Sequence, residues 1–413
     1  MRKVGVTGLG VICPLGDELT VVWNAMIEGQ SGVGTLQFLD PAPYRVKIGG
    51  EIKHRGRLDE FERENPGRYE RAAALSILAS QEALGNARLG AADLDSLRVG
   101  CFFGTTMGEI QLAERLSEAR AKNHLETMAP GDFKKVQSSH IAYSVLDFLG
   151  AAGQTMVFSN ACASGNYAIG WGFEKIRQGQ LDLALCGGVD PFSRVAFTGF
   201  NRLLSLTPDK CRPFSGNRKG LVVSEGVGVL LLEDLERAQA RGSHVYCQIG
   251  GYGLGMDAFH MTSPHPEGNG AYESILKAMA QAGLAPPDVD FISAHGTGTP
   301  ANDKTESIAI KKMFGSDCRI PVNSIKSMIG HTMGAASAIE AVMTCLTLDR
   351  GILLPTINWE TPDENCILDC VPNQSRPFQG KTALSNSFAF GGNTSCVVMM
   401  KQEGALEAAD PSK

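Results

Sequence analysis

One stretch limits what this chain can fold into more than any other: Val157-Phe158-Ser159-Asn160-Ala161-Cys162-Ala163-Ser164-Gly165-Asn166-Tyr167-Ala168-Ile169-Gly170. The apolar run ending at Val157 and Phe158 predicts the end of a strand, and the small residues after it predict a tight turn. Tyr167, Ile169, Phe173 and Ile176 then fall on one helical face, and Gly179 is placed to stop the helix. Cys162 is therefore expected where a strand hands over to a helix. A thiol there faces the positive end of the helix, which favours the thiolate. On this stretch alone, a buried structural cysteine is an equal reading.

The rest of the chain repeats the same grammar. Val4–Ile12 reads as a first strand, 69–86 as a helix with Ala72, Leu75, Leu78 and Ala79 on one side, 99–103 as a buried strand, 140–149 as a helix and 181–188 as another strand. From Tyr246 the pattern starts again, with helices predicted over 272–282, 303–314 and 335–349 and strands at Phe291–Ser293, 321–323 and 396–400. Short apolar strands alternating with helices imply α/β architecture. The 413 residues suffice for two fused halves, placed at 1–245 and 246–413. Gly8 and Gly10 faintly resemble a dinucleotide loop, but Cys13 stands at the third glycine position and no acid ends a second strand, so nucleotide binding is not expected. The residues 403–413 are expected to form a frayed polar tail.

Composition removes several function classes. The formal charge of −6 gives no general attraction to nucleic acid, although Lys210, Arg212, Arg218 and Lys219 form a local basic loop. The 11 cysteines are scattered without zinc spacing, and the odd count argues for a reducing, cytoplasmic setting. The first residues lack the apolar core of a signal peptide, and the other apolar runs are too short and glycine-broken to span a membrane.

Three later segments place polar groups among small residues after apolar runs, where open α/β folds put their sites. They are Ser293-Ala294-His295-Gly296-Thr297-Gly298-Thr299-Pro300 with Asp303 behind it, Asn323-Ser324-Ile325-Lys326-Ser327-Met328-Ile329-Gly330-His331 leading to Glu340, and Asn386-Ser387-Phe388-Ala389-Phe390-Gly391-Gly392-Asn393. Neither Glu340 nor Asp303 completes a recognised metal spacing with the histidines, so no metal is expected. A thiol with two imidazoles suits acyl transfer: the sulfur accepts an acyl group, and ring N–H groups stabilise a developing oxyanion. A hydrolase fits those residue types equally, so the residues by themselves stop at acyl transfer.

At these motifs the chain resembles the β-ketoacyl-acyl-carrier-protein synthases, the condensing enzymes of fatty-acid and polyketide synthesis, and most of all the elongating type II group. The resemblance runs from Val4-Gly5-Val6-Thr7-Gly8-Leu9-Gly10 to Phe388-Ala389-Phe390-Gly391-Gly392, with four motifs in the family's order. It implies the thiolase-like fold, two similar halves in alternating helix and sheet layers. It makes Cys162 the acylated nucleophile, His295 and His331 the paired histidines, Lys326 and Glu340 their organisers, and Phe390 beside Ala389 the gate. The backbone N–H groups of Cys162 and Phe390 become the oxyanion hole, Thr297 and Thr299 contacts for the phosphopantetheine arm, Met107 and Thr106 acyl-pocket residues, and Asp303 an acid on a mobile loop. Arg68, Arg71, Lys210 and Arg212 become contacts for an acyl-carrier protein. No cofactor is implied beyond the phosphopantetheine that carries the substrates. A homodimer is the default expectation, with a heterodimer containing a chain-length-determining homologue as its rival.

The resemblance leaves a degradative thiolase, a non-catalytic partner subunit and a decarboxylase as lesser readings. The chain also departs from the family pattern. Ala389 replaces a common glycine, which would cost backbone freedom if that position needs positive φ, and Asn393-Thr394 reverses a common order. Phe214-Ser215-Gly216-Asn217-Arg218-Lys219-Gly220 lacks two aspartates usual in that segment.

Overall fold

The computed structural model describes residues 1–402, and the tail expected at 403–413 lies outside the described residues. Five strands come from the first part of the chain: β1 (Val4–Ile12), β2 (Val99–Gly104), β3 (Gly153–Phe158), β4 (Leu183–Asp190) and β5 (Gly226–Asp234). Five more follow: β6 (Cys247–Met256), β7 (Phe291–Ser293), β8 (Val322–Asn323), β9 (Thr382–Phe388) and β10 (Asn393–Met400). The spatial orders are β1-β5-β4-β2-β3 and β6-β10-β9-β7-β8. In each set the first two pairings are antiparallel and the last two parallel. The repeat suspected from the pattern is thus a repeat of topology. A short antiparallel pairing of Val4–Val6 with residues 247–249 joins the two sets at β1 and β6.

The main helices repeat as well: α1 (Arg71–Asn86), α2 (Ser139–Leu149) and α3 (Ser164–Arg177), then α4 (Asn269–Ala282), α5 (Pro300–Phe314) and α6 (Ala336–Arg350). α1 and α2 pack on the first set of strands, α4 packs on the second set with α5 against it, and α3 and α6 contact each other and strands of both sets. Burial follows from this layering. β4 and β5 are buried along their whole length, which is why they read as nearly unbroken apolar runs. In α6 every residue from Ala336 to Leu348 is buried, so that helix lacks an amphipathic stripe.

Gly8 and Gly10 lie inside β1, not in a nucleotide loop. A Cβ at either would come within 2.0 Å of a backbone oxygen of α1, that of Ala83 or of Ala79. They are small because sheet and helix approach closely there. The helices Gly56–Glu64, Ile110–Ala121 and Arg194–Arg202 were not predicted; they are rich in charged and polar residues and bury only one or two side chains each, Leu58 and Phe61, Leu112, and Phe197.

Candidate active site

The strand-to-helix turn forms as the sequence predicts, with one refinement. Ala161–Ala163 is a single 3₁₀ turn ahead of α3, opened by Ala161 at a φ of +48°. The Ser164 hydroxyl closes it by accepting from the Asn160 N–H (2.8 Å) and donating to the Ala161 carbonyl (2.6 Å). The Ser387 hydroxyl of β9 donates to the Cys162 carbonyl at 3.0 Å, so the other half of the molecule pins the Cys162 backbone. Gly179 ends α3 with a φ of +71°, as expected.

Cys162, His295, His331, Thr297, Thr299, Ala389 and Phe390 line one cleft of about 410 Å³. The two imidazoles meet edge to face, their centroids 5.5 Å apart, and Phe388 packs 5.6 Å from His295. Both rings are buried, and burial first, then the Lys326 charge, holds them well below the usual histidine range, so they are neutral. Their tautomers follow from their neighbours. The Met333 N–H donates to His331 Nδ1 at 3.2 Å, and Lys326 Nζ lies 3.5 Å from His295 Nδ1. Each Nδ1 therefore carries a lone pair and each Nε2 carries the proton.

Lys326 and Glu340 form a buried ion pair, and Lys326 Nζ also donates to the His295 carbonyl at 2.6 Å. Every contact of this lysine is internal, so it acts on the site by holding the His295 segment. Burial pushes the Cys162 thiol up to about 12, with Lys326 acting in the opposite direction and Asp190 reinforcing the rise. The resting sulfur is a protonated thiol, and the thiolate expected from the helix start is not met, because desolvation outweighs the helix terminus.

Several expectations change. Asp303 is not on a mobile loop. It lies fully buried in the first turn of α5, where it accepts from the N–H groups of Phe214 (2.8 Å) and Gly298 (3.2 Å). The acid beside the Ala389–Gly392 segment is Asp257: its backbone N–H donates to the Gly392 carbonyl at 2.8 Å, and its carboxylate caps the N–H groups of His265 and Gly270. Ala389 has a φ of −137° and no strain; positive φ falls on Gly391 and Gly392 instead. Phe390 is 39% exposed, its ring 5.7 Å from that of Phe200. Thr106 and Met107 lie outside the cleft lining, on a turn held by Asp190.

Of the basic residues, Arg71 pairs through two hydrogen bonds with buried Glu225, and Arg212 pairs with Asp209 and Glu360. Neither guanidinium is free for a partner. Arg68 is exposed beside Asp147, and Lys210 is exposed. In the segment without its two aspartates, the Ser215 hydroxyl accepts from the N–H groups of Glu360 and Thr361, and Arg218 bonds Asp363.

Two buried carboxylates escaped the sequence reading. Glu306 accepts from the N–H groups of His295 and Gly296, both at 2.8 Å, and fixes the first histidine's backbone. Asp190 closes β4 and is described below. Asp190 interrupts an apolar, small-residue run, which is the signal that could have found it; Glu306 lies among polar residues of α5 and carries no such signal.

Two family models cover most of the chain: Beta-ketoacyl synthase, N-terminal domain, over residues 1–238, and Beta-ketoacyl synthase, C-terminal domain, over 246–360. This chain belongs to the β-ketoacyl synthases. Among the synthase's relatives is a 3-oxoacyl-[acyl-carrier-protein] synthase 2 of Staphylococcus aureus strain N315, 35% identical over 409 residues, covering 97% of this chain and 99% of that one. The structure of the ishigamide ketosynthase/chain length factor superposes with a TM-score of 0.91 at 36% identity, over 97% of this chain and 99% of that chain. A type II ketosynthase solved with its acyl-carrier protein and bound to the hexaketide gives 0.89 at 33% identity, over 97% and 100%. The thiolase-like fold of this synthase, with its two fused similar halves, is the architecture described above. Cys396, the late cysteine that a thiolase reading would need, is fully buried in β10 and outside the cleft lining. Among the described residues no helix is long and apolar enough to cross a membrane.

Proposed function

We propose that this synthase performs decarboxylative Claisen condensation on carrier-bound thioesters. One observation carries the reading: two neutral imidazoles, each with Nδ1 engaged and Nε2 protonated, share a cleft with an unpaired thiol. A hydrolase has no need of two such donors beside its nucleophile. In the first half-reaction the Cys162 sulfur attacks the acyl thioester carbonyl, the carrier thiol leaves, and the proton from Cys162 ends on that thiol. The N–H groups of Cys162 and Phe390 hold the tetrahedral oxyanion. In the second, malonyl-carrier protein loses carbon dioxide, and His295 and His331 donate to the enolate oxygen. The enolate carbon attacks acyl-Cys162, the sulfur leaves and takes one proton from solvent, and a 3-oxoacyl-carrier thioester is released.

The phosphopantetheine arm runs past Thr297 and Thr299, whose hydroxyls are 2.9 Å apart at the cleft wall. Arg68 and Lys210 are the carrier contacts in this reading, while Arg71 and Arg212 stiffen the surface behind them. Thr106 and Met107 face the acyl chain from the far side of the Cys162 turn. The division at 1–245 and 246–413 follows the restart of the topology at β6, and residence in the cytoplasm suits 11 free cysteines.

Intact-protein mass after mixing with a panel of acyl-carrier proteins tests the reading. Wild type gains the acyl mass and loses it when malonyl-carrier protein is added, with 3-oxoacyl-carrier appearing; Cys162→Ala gains nothing. No adduct from any donor would sink it. A second reading, the active subunit of a heterodimer, has its own support: β3 is an open sheet edge with residues 153–156 exposed, and related structures pair a ketosynthase with a chain length factor. A molar mass near one chain in solution, with adduct formed only after a homologous partner is added, would favour it over the homodimer.

A further inference from the structure

Asp190 is the last residue of β4 and is fully buried. Its Oδ1 accepts from the Thr105 hydroxyl (2.7 Å) and the Met107 N–H (2.9 Å). Its Oδ2 accepts from the Thr106 N–H (2.8 Å) and the Gly334 N–H (2.6 Å). Three of these donors belong to the turn that follows β2. The fourth belongs to the other half of the molecule and lies one residue after Met333, whose N–H fixes the His331 tautomer. The Thr105 hydroxyl in turn accepts from the Gly108 N–H at 2.8 Å, which closes the turn carrying Thr106 and Met107.

All the groups around this carboxylate are donors, so an acid fits where an amide does not. An asparagine would turn an N–H toward either the Met107 or the Gly334 amide. Glu306 offers the contrast. It binds the two backbone amides of the His295 segment and reaches nothing in the first half. Asp190 instead bridges the turn after β2 to the Met333–Gly334 turn that engages His331.

We propose that Asp190 is a positioning residue that locks the Thr105–Met107 turn and the Nε2–H tautomer of His331 into one arrangement, so that a change at the acyl side is felt in malonyl decarboxylation. The inference rests on the condensing-enzyme reading for its kinetic consequence, but its structural core, the coupling, does not. Two variants address it in the full-length protein. Asp190→Asn breaks the bridge itself. Thr105→Val removes one donor at the end remote from His331 and keeps the side-chain shape.

Decarboxylation of malonyl-carrier protein without an acyl donor reads the His331 end. The expected result is a fall in kcat of about fivefold for Thr105→Val and at least tenfold for Asp190→Asn, with KM within about twofold, and a double variant no slower than Asp190→Asn alone. The ring ¹⁵N shifts of His331 give the second readout: Nδ1 unprotonated in wild type, and a mixture of tautomers in both variants. Wild-type decarboxylation and an unchanged tautomer in folded Thr105→Val would overturn the coupling, as would effects that multiply in the double variant. If Asp190→Asn does not fold, Thr105→Val decides alone. If wild type forms no acyl adduct and no 3-oxoacyl product, the condensing-enzyme reading falls, and the tautomer measurement still decides the coupling.

Discussion

In the first half of the molecule, Ala161 at a φ of +48° opens a 3₁₀ turn that leads into α3; in the second half, Met333 at +52° opens Met333–Ala335 and leads into α6. The middle residue is Cys162 in one turn and Gly334 in the other. Cys162 lines the cleft. A Cβ at Gly334 would lie 2.6 Å from the Thr106 nitrogen and 2.8 Å from Asp190 Oδ2. Each turn is held from the opposite half, the first at its carbonyl by Ser387 of β9, the second at its amide by Asp190 of β4. The backbone of a strand–turn–helix therefore does not by itself make a nucleophile. What faces the turn decides whether a reactive side chain fits there. The second half instead extends the chain between β8 and its turn, and that insertion carries Lys326 and His331.

The comparison breaks first at the histidines. His331→Ala, made in the half whose turn bears no thiol, should cut condensation by about 2.7–4 kcal/mol of transition-state stabilisation, as loss of one oxyanion donor does, yet leave acylation of Cys162 within a few fold. Separate assays of acyl adduct and 3-oxoacyl product check this, and equal losses in both would erase the division of labour. Next comes Gly334→Ala. Overpacking against Thr106 and Asp190 should lower stability by about 1–3 kcal/mol, read from the urea midpoint; an unchanged midpoint would mean that the second turn has room for a side chain after all.

A gentler test concerns the thiol. Because burial raises Cys162 to about 12, the thiolate fraction climbs with pH throughout the neutral range. Alkylation of Cys162 should accelerate about tenfold per pH unit from pH 7 to 9 without a plateau, as followed by peptide mass. A plateau below pH 8 would show that the helix start does activate the resting sulfur. The smallest effect is expected at the gate. At a φ of −137° Ala389 carries no strain for glycine to relieve, so Ala389→Gly should lower stability by no more than about 1 kcal/mol and leave turnover nearly unchanged. Faster turnover with higher stability would show that the gate passes through a positive-φ state.

Much of the site was legible because chemistry and backbone coincide in short segments. Cys162 sits in a turn of small residues, and His295 and His331 close apolar runs. Phe390 lies next to Gly391 and Gly392. The errors arose where a residue's role depends on what comes opposite it in space. Asp303 looks like a loop acid but lies inside a helix start under Phe214. Arg71 looks like a surface cation but is bound to Glu225, 154 positions away. Asp190 and Glu306 escaped because all their partners but the Thr105 hydroxyl are backbone amides, which any sequence supplies.

By itself, the sequence determined the α/β alternation and the small-residue turn at Cys162, and it singled out His295 and His331 at the ends of apolar runs, since apolar periodicity and small-residue turns act over a few residues. Only the tertiary structure decided that the histidines are neutral with Nε2 protonated, that the resting thiol is protonated, and that one half's turn is open while the other's is filled. Those properties depend on desolvation and on donors brought together from distant segments, and burial exists only once the two halves have packed.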